Sequence, residues 1–233
     1  MILDFIERIS ADLKILRKDM IEKDLLLHRI LLDLSKDKFF SKNFIFKGGT
    51  CLAKHYLGYF RFSEDIDFTW KDQSIYNKKS GKEIGRSLSK VIDDTGKIFE
   101  EIAVKRGLDF KCIKSNKNYV ELGGSKRICT FKIWYDSVIL KKKTFVKVQI
   151  NFVENMCLNP RKGILRSLMT EKNEELKVLF AEYLEYSAVI PFEMYDVKEI
   201  LSEKIRCTID KKGDKSKRFP RHIFHFQEPG HKT

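Results

Sequence analysis

Two aspartates, Asp65 and Asp67, flank Ile66 in a short apolar run that ends at Trp70. In an extended chain, side chains two apart project to the same side. Asp65 and Asp67 therefore face one way, while Ile66 and Phe68 enter a core. Two carboxylates on one side raise each other's pKa unless positive charge lies between them. A Mg²⁺ (or Mn²⁺) ion resolves that repulsion, taking its oxygen ligands from the protein and from substrate phosphates. Upstream, Lys47-Gly48-Gly49-Thr50 offers the complementary chemistry. Two glycines allow positive φ and close approach of backbone to ligand. A helix that begins there aims free N–H groups and its positive dipole end at a phosphate, and Thr50 adds a hydroxyl donor. Arg61 and Ser63, just ahead of the aspartates, and Lys47 supply further positive charge and a hydroxyl for a triphosphate. Alone, a Gly-Gly-Thr is usually an ordinary turn, and most D-x-D pairs are solvated acids. Together, with 14 residues between Thr50 and Asp65, they form a candidate site for a metal-chelated nucleoside triphosphate. Such a site suits phosphoryl or nucleotidyl transfer.

The elements that must carry these residues are legible in the surrounding pattern. Phe44-Ile45-Phe46 is aromatic and β-branched and predicts a strand running into the glycine turn. A helix is expected over 51–59 and a second strand over 62–70. Before them, apolar spacing predicts two amphipathic helices over 2–18 and 20–36. After them, residues 83–107 read as a helix, and strands are expected near 108–113, 127–136 and 144–153. In the last of these, Val146, Val148, Ile150 and Phe152 alternate with Lys147, Gln149 and Asn151. Helical patterns return at 172–187 and 195–209, followed by the basic stretch 211–221. The order predicts an α+β protein with a mixed β-sheet core, N-terminal helices and a helical C-terminal part. The expected division is a catalytic core over 1–155 and a shorter helical region over 156–233.

Composition bounds the partners. Lys and Arg outnumber Asp and Glu by 46 to 33, a formal charge of +13 that favours a polyanion and disfavours a cationic substrate. A Lys-rich proteome gives the same bias on any surface. Five cysteines, none at C-x-x-C spacing, argue against a disulfide framework and a zinc ribbon. No run of about 18 apolar residues suggests a membrane span, and the first ten residues do not read as a signal peptide. A reducing cytoplasm is the expected setting. Trp70 and Tyr59 lie near the motifs and have faces on which a base could stack, although core positions suit both better.

The run Phe46-Lys47-Gly48-Gly49-Thr50-Cys51-Leu52, followed by Arg61-Phe62-Ser63-Glu64-Asp65-Ile66-Asp67-Phe68, follows the general pattern of polymerase-β-type nucleotidyltransferases. More narrowly, it resembles the AbiEii/AbiGii-type nucleotidyltransferase toxins. Ile21-Glu22-Lys23-Asp24 and Leu201-Ser202-Glu203-Lys204-Ile205-Arg206 are similar to further family motifs, and Phe145–Phe152 sits where the family has a Lys-containing central strand. The similarity extends over roughly residues 20–226. It implies NTP binding with Mg²⁺ at the glycine turn and the aspartate pair, nucleotide transfer to RNA, in some members tRNA, and a cognate antitoxin. It also implies that Thr50, Asp65, Asp67 and Lys204 are essential.

Three departures bear on activity. Gln149 stands where relatives often carry an acid, with Glu154 nearby as a possible substitute or a surface acid. Pro220-Arg221-His222-Ile223-Phe224-His225 places histidines where the family has aspartates; His222 is a candidate base, since imidazole titrates near neutral pH. Relatives also run on for several more helices. The expectation is therefore a Mg²⁺-dependent nucleotidyltransferase toxin acting on RNA. The alternative is a nucleotide- or RNA-binding homologue without turnover.

Overall fold

The computed structural model describes residues 2–211 apart from 60, 77–78, 155 and 170–173, and apart from the side chains of 75, 174 and 207–211. His222, His225 and most of the basic stretch therefore lie outside the described residues. Helices α1 (Ile2–Leu13), α2 (Lys18–Lys36) and α3 (Lys38–Asn43) lead into strand β1 (Phe44–Lys47). The glycine turn opens α4 (Gly48–Cys51), which continues as one π-helical segment, Leu52–Tyr56, closed by Leu57 N–H donating to Leu52 O at 2.8 Å. Strand β2 (Asp65–Trp70) and α5 (Gly81–Arg106) follow, then β3 (Val120–Gly123), β4 (Ile128–Ser137), β5 (Lys142–Asn151) and β6 (Arg161–Leu165). The chain goes on through α6 (Glu174–Leu179), a 3₁₀ segment (Ala181–Ser187), β7 (Ile190–Met194) and α7 (Val197–Lys211).

All seven strands join one sheet in the order β3-β4-β5-β2-β1-β7-β6. It is mixed: β2 runs parallel to β5 and β1 parallel to β7, and the remaining pairs are antiparallel. The C-terminal part, expected to be helical, supplies strands β6 and β7 as well. The expected strand at 108–113 is reduced to a single bridge, Asp109 to Trp134.

The sheet has two unlike faces because its central strands alternate. Phe46, Ile66, Phe68, Val148, Ile150 and Phe131 are fully buried. They join one apolar cluster with Leu27, Ile30, Leu31 and Leu34 of α2 and Leu88, Ile92 and Phe99 of α5. The opposite face carries Lys47, Asp65, Asp67, Thr69, Lys147, Gln149 and Asn151. Both α2 and α5 are thereby committed to the apolar face. The long helix α5 is held at its ends by local chemistry. The Ser80 hydroxyl accepts from Glu83 N–H, the Glu83 carboxylate accepts from Ser80 N–H at 2.8 Å, and Gly107 closes the helix at φ +64°. A second cluster packs Phe5, Ile6 and Ile9 of α1 against Tyr183 and Tyr186, so the first helix is tied to the segment before β7.

Candidate active site

β1 and β2 are antiparallel neighbours, with Lys47 opposite Asp67 and Phe46 opposite Phe68. The chain leaves β1 at Gly48 with φ +79°, a left-handed conformation that favours glycine. A Cβ at Gly48 would lie 2.8 Å from both Cβ and Cγ of Asp67, so the turn rests directly on that carboxylate. At Gly49 the same construction meets Ser63 Oγ at 2.7 Å and Arg61 Nη2 at 3.7 Å. Gly48, Gly49, Arg61, Ser63 and Asp67 are therefore gathered in one place. Asp65 shares the face of Asp67 across Ile66, and its carboxylate lies 3.8 Å from Lys147 Nζ on the parallel neighbour β5. Gln149 is opposite Asp67 on that side.

The electrostatics follow from this crowding. Burial, and then the neighbouring charge of Asp65, push the Asp67 carboxyl up to about 6; Lys47, Lys147 and Lys204 pull in the other direction and do not cancel the rise. A carboxyl held this far above its ordinary range beside a second acid marks a candidate functional site. Among the described residues no group of three or more His, Cys, Asp or Glu side chains could hold a metal. Two protein carboxylates fit Mg²⁺ only where substrate phosphates and water complete the shell, which is how this ion is commonly bound.

Lys47 and Thr50 are engaged within the protein. The Lys47 ammonium is buried and donates to Glu154 at 2.6 Å and to Glu203 of α7 at 2.9 Å, with the Tyr195 ring 5.2 Å away. The Thr50 hydroxyl, 1% exposed, donates to the backbone carbonyl of Asp65, tying the turn to the strand that carries the acids. Glu154 is no surface acid: it accepts from Lys47, from Thr69 at 2.6 Å and from Asn151 at 3.1 Å. Glu154 and Glu203 share a hydrogen bond and titrate as a pair. Burial alone would raise Glu154, but the bond from Glu203 and the Lys47 charge hold it down at about 2. Burial and the same bond push Glu203 up to about 7.

Glu22, Lys23 and Asp24 of α2 reach three different parts of the fold. Glu22 accepts from Val138 N–H at 2.8 Å and from Ser137 Oγ at 2.5 Å. Lys23 pairs with Glu64 at 2.9 Å, next to Asp65. Asp24 is buried against Lys54, 2.8 Å away in the π-helical segment, and also accepts from Tyr59 at 2.9 Å and Tyr186 at 2.6 Å. Tyr59 is thus occupied in a buried polar knot, and Trp70 packs among Phe39, Phe44 and Phe152, so neither presents a face to a base. Nearby His28 donates from Nε2 to Ala188 O at 2.9 Å, and burial depresses its pKa to about 3, which keeps it neutral at physiological pH. Removing one partner of a buried pair strands the other charge. Lys54→Met is expected to cost about 3 kcal/mol of stability, read as a lower urea midpoint at unchanged m-value.

A strand, a glycine turn, a helix and a second strand with two acids on one face, Asp67 against the turn, make up the plan of a nucleotidyltransferase core. Residues 29–224 match the family described as nucleotidyl transferase AbiEii toxin, Type IV TA system, and the chain belongs to that family. No curated protein and no solved structure matches it significantly. Among the described residues no helix is long and apolar enough to cross a membrane.

Proposed function

We propose that the protein transfers a nucleotide from an NTP to an RNA acceptor, tRNA being the first candidate, in a Mg²⁺-dependent reaction. In this reading it is the toxin of a pair, works in the cytoplasm and is restrained by a cognate antitoxin. The observation that carries the reading is the contact of Gly48 with Asp67 on the face shared with Asp65. It supports the reading because the glycine turn, proposed to bind phosphate, lies against Asp67, whose face Asp65 shares.

Asp65 and Asp67 are the residues that would hold Mg²⁺. When bound, the ion would offset charge on the triphosphate as its α-phosphorus is attacked. The amides of Gly48, Gly49 and Thr50, with Arg61 and Ser63, orient the polyphosphate. Lys147 and Lys204 add positive charge on the side of the acids. An acceptor hydroxyl forms the new O–P bond, the α–β bridge breaks, and pyrophosphate leaves. His222 is proposed to take the acceptor proton. A formal charge of +13 assists capture of an RNA backbone.

Incubation with each of the four α-labelled NTPs and bulk tRNA tests this reading. Label is expected in RNA with at least one NTP and is expected to disappear when EDTA removes divalent metal. Absence of label from every NTP, with tRNA and with total RNA, overturns the assignment. Gln149 opposite Asp67, in place of a further acid, favours a second reading in which NTP·Mg²⁺ binds without turnover. Calorimetric binding without transfer would select it.

A further inference from the structure

The buried ion triad behind the glycine turn has no place in the transfer chemistry, yet it connects the site to α7. Lys47 is the last residue of β1 and lies opposite Asp67. Its ammonium spans Glu154, beyond the end of β5, and Glu203, in the middle of α7. Further hydrogen bonds hold the beginning of α7 and the residues before it. Tyr195 N–H donates to Phe46 O at 2.9 Å, Asp196 accepts from Lys198 N–H at 2.8 Å, and Glu199 accepts from Cys157 and Leu158 N–H at 3.1 and 3.0 Å. Lys47–Glu203 ties the helix to β1 one full turn beyond Glu199, at the residue next to Lys204.

We propose that Lys47 and Glu203 are positioning residues, whose buried ion pair sets α7, and with it Lys204, over the face that carries Asp65 and Asp67. This rests on the reading of that face as the transfer site. It separates Lys47 from the phosphate-binding role that its place in the motif suggests. For Lys47 to reach a triphosphate it would leave the buried Glu154–Glu203 pair without its cation, a costly exchange. In this proposal the buried pair serves one fixed arrangement of α7 rather than net stability. The geometry also distinguishes the two partners of the lysine. Glu154 is anchored by Thr69 and Asn151 of the sheet, whereas Glu203 belongs to the element being placed.

The test compares Lys47→Met, Glu203→Ala, the double variant and Glu203→Gln in the full chain. Each of the first two is expected to lower kcat about 100-fold, the scale of a small misplacement of catalytic groups, with KM for the NTP within about twofold of wild type. The double variant is expected to be no worse than either single one, because both remove the same link. Glu203→Gln retains an acceptor for Lys47 and is expected to recover most of the rate. Amide hydrogen exchange over residues 197–206 is expected to quicken about tenfold in both single variants and no further in the double.

Losses that multiply in the double variant overturn the proposal. So does a KM increase confined to Lys47→Met, or exchange that does not change in either variant. If the wild type transfers no nucleotide, the transfer reading fails instead. The exchange measurements then decide the Lys47–Glu203 link by themselves, and the Glu203→Gln rescue of slow exchange serves as its control.

Discussion

Replacing Asp67 with asparagine is expected to lower nucleotide transfer roughly 10³-fold, the effect of losing about 4 kcal/mol of charge stabilisation, while making the metal-free protein more stable at neutral pH. The two effects have one cause. Asp67 is mostly enclosed, lies beside Asp65, and has its carboxyl raised from 3.8 to about 6. A raised acid binds its proton more tightly in the folded state than in the unfolded chain. Its contribution is therefore most favourable below about pH 4 and is lost as pH rises through 6. Above that window the folded protein carries a carboxylate it would bind more comfortably as an acid. Asparagine keeps the shape and removes the charge, so a gain of about 1–3 kcal/mol is expected at pH 7.5. Urea unfolding in EDTA measures it. Saturating Mg²⁺ with NTP should then stabilise the wild type and leave the variant unchanged, since only ligands bound by the native state shift its unfolding. A variant that is inactive and less stable would contradict this account of the site.

The second large effect is expected at Gly48. Alanine there faces two obstacles that act together. A φ of +79° costs an L-residue about 1–2 kcal/mol, and the added methyl falls on the Asp67 side chain. Relief requires either the turn or the carboxylate to shift, and both belong to the proposed triphosphate site. Gly48→Ala is expected to reduce transfer about 100-fold with about 1–3 kcal/mol of destabilisation. Gly49→Ala is the matched control. Its φ is not left-handed, and the methyl would meet Ser63 Oγ, the end of a side chain able to rotate. Less than about tenfold loss is expected there. Steady-state label transfer and thermal melts on the two variants check the contrast.

The residues of the turn and the acid strand were legible because their message is local. Side-chain alternation put Asp65 and Asp67 together, and the same rule sorted residues 146–152 correctly into a buried and a polar row. What the sequence did not disclose are partners far apart along the chain. The acceptors of Lys47 lie 107 and 156 residues away, and nothing in the Lys-Gly-Gly-Thr motif distinguishes a lysine that meets phosphate from one held by Glu154 and Glu203. Asp24 and Lys54 are likewise joined only by the fold. Strands β6 and β7 escaped because they are five residues each, and β7 is bordered by segments with a helical look. Residues 172–187, read as one helix, hold a short α-helix and a 3₁₀ run separated at Phe180. Local periodicity cannot tell such pieces from a continuous helix.

The strand order carries a consequence for synthesis. β1 and β2 are made early, but β2 waits for β5 on one side, and β1 waits for β7 on the other. A chain still emerging, with its first 150 residues out, already carries the glycine bend and both acids. It lacks the flanking strand that covers β1 and the helix that bears Lys204. Because domains consolidate only when such distant pieces meet, the proposed site is assembled only after β7 and α7 have been made, and the early half of the chain, with the bend and both acids, does not carry it alone.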